Sequence, residues 1–310
     1  MKPKIANLVK HSLRHLGLGK SIDSANSGPG PMEQGVFEST HPSGHYYSAY
    51  PSLAEIEQDA DRFFLPSPPR DLPGIDMREE AQVELCKVLA PLSKIEVPLH
   101  RTPGWRYYLT NSYFIALDFR ILAAMMRQLA PRRIIEIGSG FSSAAMLDVI
   151  EKYSLPTSMT CIEPYPDRLY ELIGQPPHER CVVLEKMVQK VDIGMFDELE
   201  AGDILFVDSS HVSKIGSDVN HIMFNILPRL KPGVVIHFHD ILYPFEYPRD
   251  WVTRGFGWNE AYMLRSFLQF NSSFEIMFYT SFMATFQPAL MRESFPDGHV
   301  SGGIYLRRTR

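Results

Sequence analysis

"RIIEIGSGFSSAAM", residues 133–146, carries the two signals that decide the fold. Ile134, Ile135 and Ile137 form the short apolar run expected of a strand buried on both faces. Gly138 and Gly140 follow, and they let the backbone turn tightly and approach a ligand with no Cβ in the way. Ser142 and Ser143 then supply hydroxyls suited to capping the next helix. A glycine turn from strand into helix opens a βα unit, although such turns also occur with no ligand.

The same alternation continues outward. Apolar runs at 158–163 ("SMTCIE"), 181–185 ("CVVLE"), 203–208 ("DILFVD"), 233–240 ("GVVIHFHD"), 274–280 ("FEIMFYT") and 302–308 ("GGIYLRR") are the remaining candidate strands. Helical stretches at 142–153, 166–173, 217–230 and 259–270 lie between them, and 77–92 and 112–130 also have helical periodicity. Strands alternating with helices imply a mostly parallel, doubly wound α/β sheet covered on both faces. The stretch "FQPALMRESFPDGHVS" (286–301) reads as too irregular for a crossover helix, which implies an antiparallel closing hairpin.

Upstream, residues 21–35 ("SIDSANSGPGPMEQG") read as a linker, and residues 1–20 carry five basic residues and no acidic one among helically spaced apolar positions. A basic amphipathic helix there suits either a weak membrane-surface contact or docking on protein. The formal net charge of -5 argues against a broad nucleic-acid-binding surface. Three dispersed cysteines without a CxxC pair argue against a disulfide framework and fit a reducing, cytoplasmic setting, with or without peripheral contact at the inner face of a membrane.

Glu163 ends the second candidate strand, 23 residues after Gly140, where an acidic side chain can accept hydrogen bonds from ribose hydroxyls. Ser143 stands where a pyridine-nucleotide fingerprint would place its third glycine, which weighs against NAD. Glu136-Ile-Gly138-Ser-Gly140, Glu163 and "ILFVDSSH" (204–211) together resemble class I S-adenosylmethionine-dependent methyltransferases. "SHVSKIGSDVN" (210–220) and "HFHDILYPFEYPRDW" (237–251) are similar to a bacterial group of these enzymes of largely undetermined substrate. The resemblance implies a Rossmann-like seven-stranded sheet with an antiparallel last strand in residues 105–310. Residues 1–104 would form an N-terminal extension of basic helix, linker and lid. It also implies S-adenosyl-L-methionine as cofactor, held by Glu136, Gly138, Ser139, Gly140, Glu163, Met187 and Asp208.

If the fourth and fifth strands are neighbours, Asp208, His211, His237, His239 and Asp240 converge at one rim. His237 and His239, two apart on a strand, point to the same face. Three readings stay open. A histidine acts as general base, with His211, His239, Asp208 and Asp240 as the catalytic set. Alternatively, Asp208, His237, His239 and Asp240 hold a divalent metal ion. In the third reading, His237 is a hydrogen-bonded core residue. Aromatic, polar stretches at 41–52, 101–114 and 243–262 read as a cover over a small-molecule or glycan acceptor, with Tyr46, Tyr47, Trp105, Tyr108 and Trp258 as walls. The expected activity is methyl transfer to a hydroxyl or amine. The alternatives are a metal-dependent enzyme such as a hydroxylase, or a non-catalytic cofactor-binding subunit.

Overall fold

A computed structural model of the chain describes residues 40–176, 178–296 and 301–310. The expected basic helix at 1–20 and linker at 21–35 lie outside these residues. All seven candidate strands form: β1 (Arg133–Ile137), β2 (Ser158–Ile162), β3 (Cys181–Leu184), β4 (Ile204–Val207), β5 (Val235–Phe238), β6 (Phe274–Tyr279) and β7 (Ile304–Arg308). They make one sheet in the order β3-β2-β1-β4-β5-β7-β6. The β3-β2-β1-β4-β5 ladder is parallel throughout, whereas β7 is antiparallel to both β5 and β6. The expected closing hairpin is therefore present, with β7 inserted between β5 and its own hairpin partner. Every residue of β4 and β5 is buried, as continuous apolar runs at the centre of a covered sheet require.

Among the described residues the α-helices are α1 (Leu53–Gln58), α2 (Ala60–Phe63), α3 (Glu79–Leu92), α4 (Ala116–Leu129), α5 (Phe141–Lys152), α6 (Asp167–Ile173), α7 (Asp218–His221), α8 (Arg249–Thr253), α9 (Glu260–Leu268), α10 (Thr280–Phe286) and α11 (Pro288–Ser294). None is long and apolar enough to cross a membrane. The connection from β6 to β7 is no parallel crossover, as its irregular sequence implied, but it holds short helices: α10 runs through Phe286, and α11 starts with Pro288 at its first position, where a missing N–H costs nothing. The helical stretch expected at 217–230 forms, but it changes type along its length. The chain leaves α7 through a π turn (Ile222–Ile226) and a 3-10 turn (Leu227–Arg229), because Pro228 cannot extend an α-helical hydrogen-bond ladder.

The α3 helix packs against α4, β6 and α11. Its buried Gln82 donates from Nε2 to Met77 O at 2.5 Å and accepts the Tyr279 amide at 2.7 Å, stitching the upstream chain to β6. The helix–sheet core is continuous from Cys86 and Leu89 through Ile134, Phe206 and Ile236.

The tightest point of the fold lies at the end of β1. Gly138 has φ +79°, and a Cβ placed there would meet the Asp208 carbonyl oxygen at 1.8 Å. Gly138→Ala is therefore expected to lower stability by about 3 kcal/mol or more, through left-handed strain and overlap with backbone that has no rotamer to yield. Denaturant unfolding measures this, and a loss below about 1 kcal/mol would show that the β1–β4 junction can spread.

Candidate active site

Backbone hydrogen bonds lace four strand ends into one rim. Gly138 N donates to Ile162 O (3.0 Å), Asp208 N to Ile137 O (2.9 Å) and His239 N to Val207 O (2.9 Å). These bonds carry the ladders of β2, β1, β4 and β5 one residue past the strands. The glycine turn and the histidine-rich segment consequently open on the same edge of the sheet.

On the turn side, Glu163 is half-buried, and its carboxylate accepts Ser139 N (3.1 Å) and Tyr165 N (2.8 Å). Burial raises its pKa, while these two N–H donors oppose the rise. Gly140 meets only the Arg168 side chain, at 3.5 Å from the position of a Cβ. The guanidinium of Arg168 lies 4.0 Å from the centre of the Tyr113 ring. Tyr113 stacks on Phe141 at 5.7 Å, and Tyr108 meets Phe141 edge-on at 5.3 Å. An aromatic wall thus stands over the first turn of α5. Met187 is partly exposed after β3, and Gln189 ties that segment to Gly216 O (2.7 Å) in the loop after β4.

Glu136 lies deeper than its assignment as a cofactor contact requires. It is fully buried, and its carboxylate accepts the hydroxyls of Ser142 (2.6 Å) and Ser143 and the Cys161 thiol (3.4 Å). Its task is to fold the turn and the helix start. The serines expected to cap α5 from within its first turn spend their protons on this carboxylate, while Ser143 Oγ also accepts Gly140 N (2.9 Å). Burial pushes the Glu136 pKa up to about 7 against those donors. Cys161 and Cys181, far apart in sequence, bring their sulfurs within 3.5 Å on neighbouring strands, and both are free.

The histidine side of the rim gathers Asp208, His211, His239 and Asp240. His211 Nε2 lies 3.4 Å from Asp208 and 4.0 Å from Asp240, and His239 Nε2 lies 3.7 Å from Asp240. His211 and Asp240 both occupy the left-handed backbone region, at φ +59° and +54°, an unusual conformation that clusters at functional sites. Burial pulls the His239 pKa down, but Asp240, Asp208 and Asp118 outweigh it and set it to about 8. His237 takes the opposite course. Burial and the neighbouring His239 hold its pKa well below the ordinary value, and neither ring nitrogen has a hydrogen-bond partner. Its ring is packed 4.3 Å from Phe206 and 4.4 Å from Tyr305, its register neighbours on β4 and β7. The expectation of a hydrogen-bonded core histidine is thus corrected: His237 is in the core but held by ring packing.

The proposed acceptor walls separate. Trp258 lies 4.3 Å from the His211 ring and Tyr108 reaches the glycine-turn wall. Trp105 does not line the rim. Its ring sits 4.9 Å from the Lys152 ammonium at the end of α5 remote from Gly140, about 18 Å along a 12-residue helix. A hollow of about 470 Å³ lined by Arg106, Glu151, His178 and Arg180 lies at that remote end and contains no rim residue. Tyr46 and Tyr47 are 83% and 68% exposed and pack on each other at 4.3 Å, so among the described residues they form a surface cluster with His41 and His45 and not a pocket wall.

Two buried carboxylates at the site escaped the sequence reading. Asp118 in the first turn of α4 is pushed to about 6 by burial, against the pull of the His239 charge. Glu260, the first residue of α9, is 1% exposed, and its Oε2 lies 2.8 Å from His211 Nδ1. An acidic residue followed by helical periodicity looks like an ordinary helix start, so only the fold reveals either one.

A family model described as a methyltransferase domain matches residues 135–241, the stretch from β1 through the end of β5. An uncharacterized protein of Archaeoglobus fulgidus is 32% identical over 164 residues, covering 51% of this chain and 73% of its own length. Residues 135–241 therefore carry a methyltransferase domain, in line with the resemblance to class I S-adenosylmethionine-dependent methyltransferases read from the sequence. Similar solved structures include the SAH-bound Podospora anserina methyltransferase PaMTH1, at 14% identity and TM-score 0.43, covering 84% of this chain and 97% of that one. A CmcI structure described as Mg-SAM has 15% identity and TM-score 0.40, with coverage of 81% and 95%.

The raised pKa of Glu136 has a signed consequence for stability. The folded protein keeps this proton up to about pH 7, whereas the unfolded chain releases it near the ordinary glutamate value of 4.5. Its contribution is complete below about pH 4.5 and is lost as pH rises through about 7, a difference of about 3 kcal/mol. Glu136→Gln should remove that part of the stability–pH slope, read as the difference between the two proteins' unfolding curves. Parallel profiles for the two proteins would mean that Glu136 ionises without penalty.

Proposed function

We propose that the protein methylates a hydroxyl or amine of a small molecule or glycan precursor, with S-adenosyl-L-methionine as donor and His239 as general base. The observation that carries this reading is the common rim of the Gly138–Gly140 turn, the Glu163 carboxylate and the His239–Asp240–Asp208–His211 cluster. The residues fit the cofactor. Glu163 keeps acceptor capacity for a ribose diol beyond the two N–H groups it already receives. The backbone at Gly138, Ser139 and Gly140 can approach the amino-acid portion closely, Asp208 offers a carboxylate to its ammonium, and Met187 an apolar face to the adenine. S-adenosylmethionine supplies a methyl group already activated on a sulfonium, so the protein needs mainly to align the acceptor and remove its proton.

His239 suits that second task. One of its ring nitrogens has no hydrogen-bond partner, and with a pKa of about 8 the neutral imidazole becomes the main form above about pH 8. Asp240 can orient the ring from 3.7 Å. The charge of Asp208 is secured, since the histidine charges hold its pKa below the ordinary range despite burial. The proposed metal set fits poorly. Among the described residues no three His, Cys, Asp or Glu side chains converge in metal-holding geometry, and His237 is sealed between aromatic rings.

Calorimetry is expected to show binding of S-adenosylmethionine and none of NAD. Because the base must be neutral, kcat/KM should rise with pH through about 8 and then level, and His239→Ala should remove that limb and lower kcat by about 100-fold or more. Chelator should leave turnover unchanged; its loss would favour the metal reading. Unaltered turnover in both His239→Ala and Asp208→Asn would sink the base assignment. Cofactor binding with no transfer to any acceptor would point to a binding subunit.

A further inference from the structure

Glu260 is bound into the site more firmly than a helix-start carboxylate requires. Its Oε2 lies 2.8 Å from His211 Nδ1, and its Oε1 accepts the Ser209 hydroxyl at 3.0 Å. The same hydroxyl accepts the His211 amide at 3.3 Å. The connection is made twice more through the backbone, since Asn259 N (2.9 Å) and Glu260 N (3.2 Å) both donate to the His211 carbonyl. Asn259 Oδ1 accepts Ser213 N at 2.6 Å. The start of α9 thus clamps the loop after β4, with the left-handed His211 at its centre.

Three carboxylates and an aromatic ring around His211 favour its charged form. Glu260 from α9 takes Nδ1, Asp208 from the end of β4 faces Nε2 at 3.4 Å, and Asp240 from the end of β5 lies 4.0 Å away. The Trp258 ring lies 4.3 Å from the imidazole, where an aromatic face attracts a cation. The cation facing this group is His239, whose own charge His211 disfavours.

We propose that Glu260 is a positioning residue that keeps His211 as a fixed imidazolium between itself and Asp208, so that His211 tunes the rim's charge and does not act as the base. This rests on the methyl-transfer reading above and deepens it, dividing two catalytic candidates into a base, His239, and a charged partner, His211. Burial alone would lower the His211 pKa; Asp208 and Glu260 override it and hold it well above the ordinary value. A fixed positive charge beside His239 in turn makes His239 release its proton more readily. The sign follows from position: His211 acts on His239 directly, whereas Glu260 acts through His211.

The test compares Glu260→Gln, which keeps the side chain's shape, with Glu260→Ala, using NMR of ¹³C-labelled histidine and steady-state kinetics on the full chain. Both variants should move the His211 titration to lower pH. With His211 neutral, the rise of kcat/KM assigned to His239 should move to higher pH. In Glu260→Ala, kcat should fall by about 10-fold or more while the KM for S-adenosylmethionine stays within about twofold. Should the alanine variant fail to fold, the glutamine variant alone decides. An unmoved His211 titration, or an unmoved pH limb with His211 already neutral, overturns the proposal. The NMR titration needs no substrate, so it gives a result even if S-adenosylmethionine fails to bind and the methyl-transfer reading falls.

Discussion

The close approach between the Asp208 carbonyl and residue 138 is the constraint from which the site follows. A parallel sheet brings β1 and β4 side by side, but at the left-handed φ of residue 138 a Cβ would drive into the Asp208 carbonyl. With hydrogen at Cα, β1 turns sharply while Asp208 N still donates to Ile137 O, so β4 ends against the turn itself. Everything on β4 and β5 beyond that point inherits the placement: Asp208, then His211 in its clamped loop, then His239 and Asp240 through the Val207 carbonyl. The glycine turn and the histidine-rich rim are one structural unit because one residue has no Cβ.

Much of this was legible in the chain. The seven apolar runs became the seven strands, since a strand buried on both faces has no polar alternation to hide it. The strand ends were legible too, so Gly138, Glu163, Asp208 and His239 fall at one rim as the alternation implies. What could not be read was the third dimension of the chemistry. Glu260 lies 49 residues beyond His211 and looks like any acidic helix start, and Asp118 hides inside a strongly apolar helix. Aromatic content misled in the opposite direction. Trp105 and Tyr108 are three residues apart, yet the first packs at the far end of α5 and only the second reaches its glycine end. Composition marks a residue as able to wall a pocket; only packing says which pocket.

The three histidines show how far environment separates identical side chains. His237 lies inside the sheet between Phe206 and Tyr305, where desolvation and the His239 charge outweigh the pull of Asp208, and it stays neutral. His239, two residues on, is equally buried but faces Asp240, Asp208 and Asp118, and the balance leaves it near 8. His211 has carboxylates at both nitrogens and is driven well above its ordinary value. Groups whose surroundings spread their proton affinities this widely can divide the labour of one reaction.

The two glutamates of the glycine turn obey the same logic. Glu136 and Glu163 belong to adjacent strands, but Glu136 lies inside the β1 ladder, opposite Cys161, whereas Glu163 follows the last residue of β2. Two positions along the register decide the difference. Inside the ladder, the carboxylate is enclosed by Ser142, Ser143 and Cys161 and serves the turn's architecture. Beyond the ladder, the carboxylate is steadied by two backbone N–H groups and keeps oxygen lone pairs directed at the rim. The buried glutamate shapes the turn, and the shaped turn presents Ser139 N to the other, so the partly open carboxylate is aimed by the closed one.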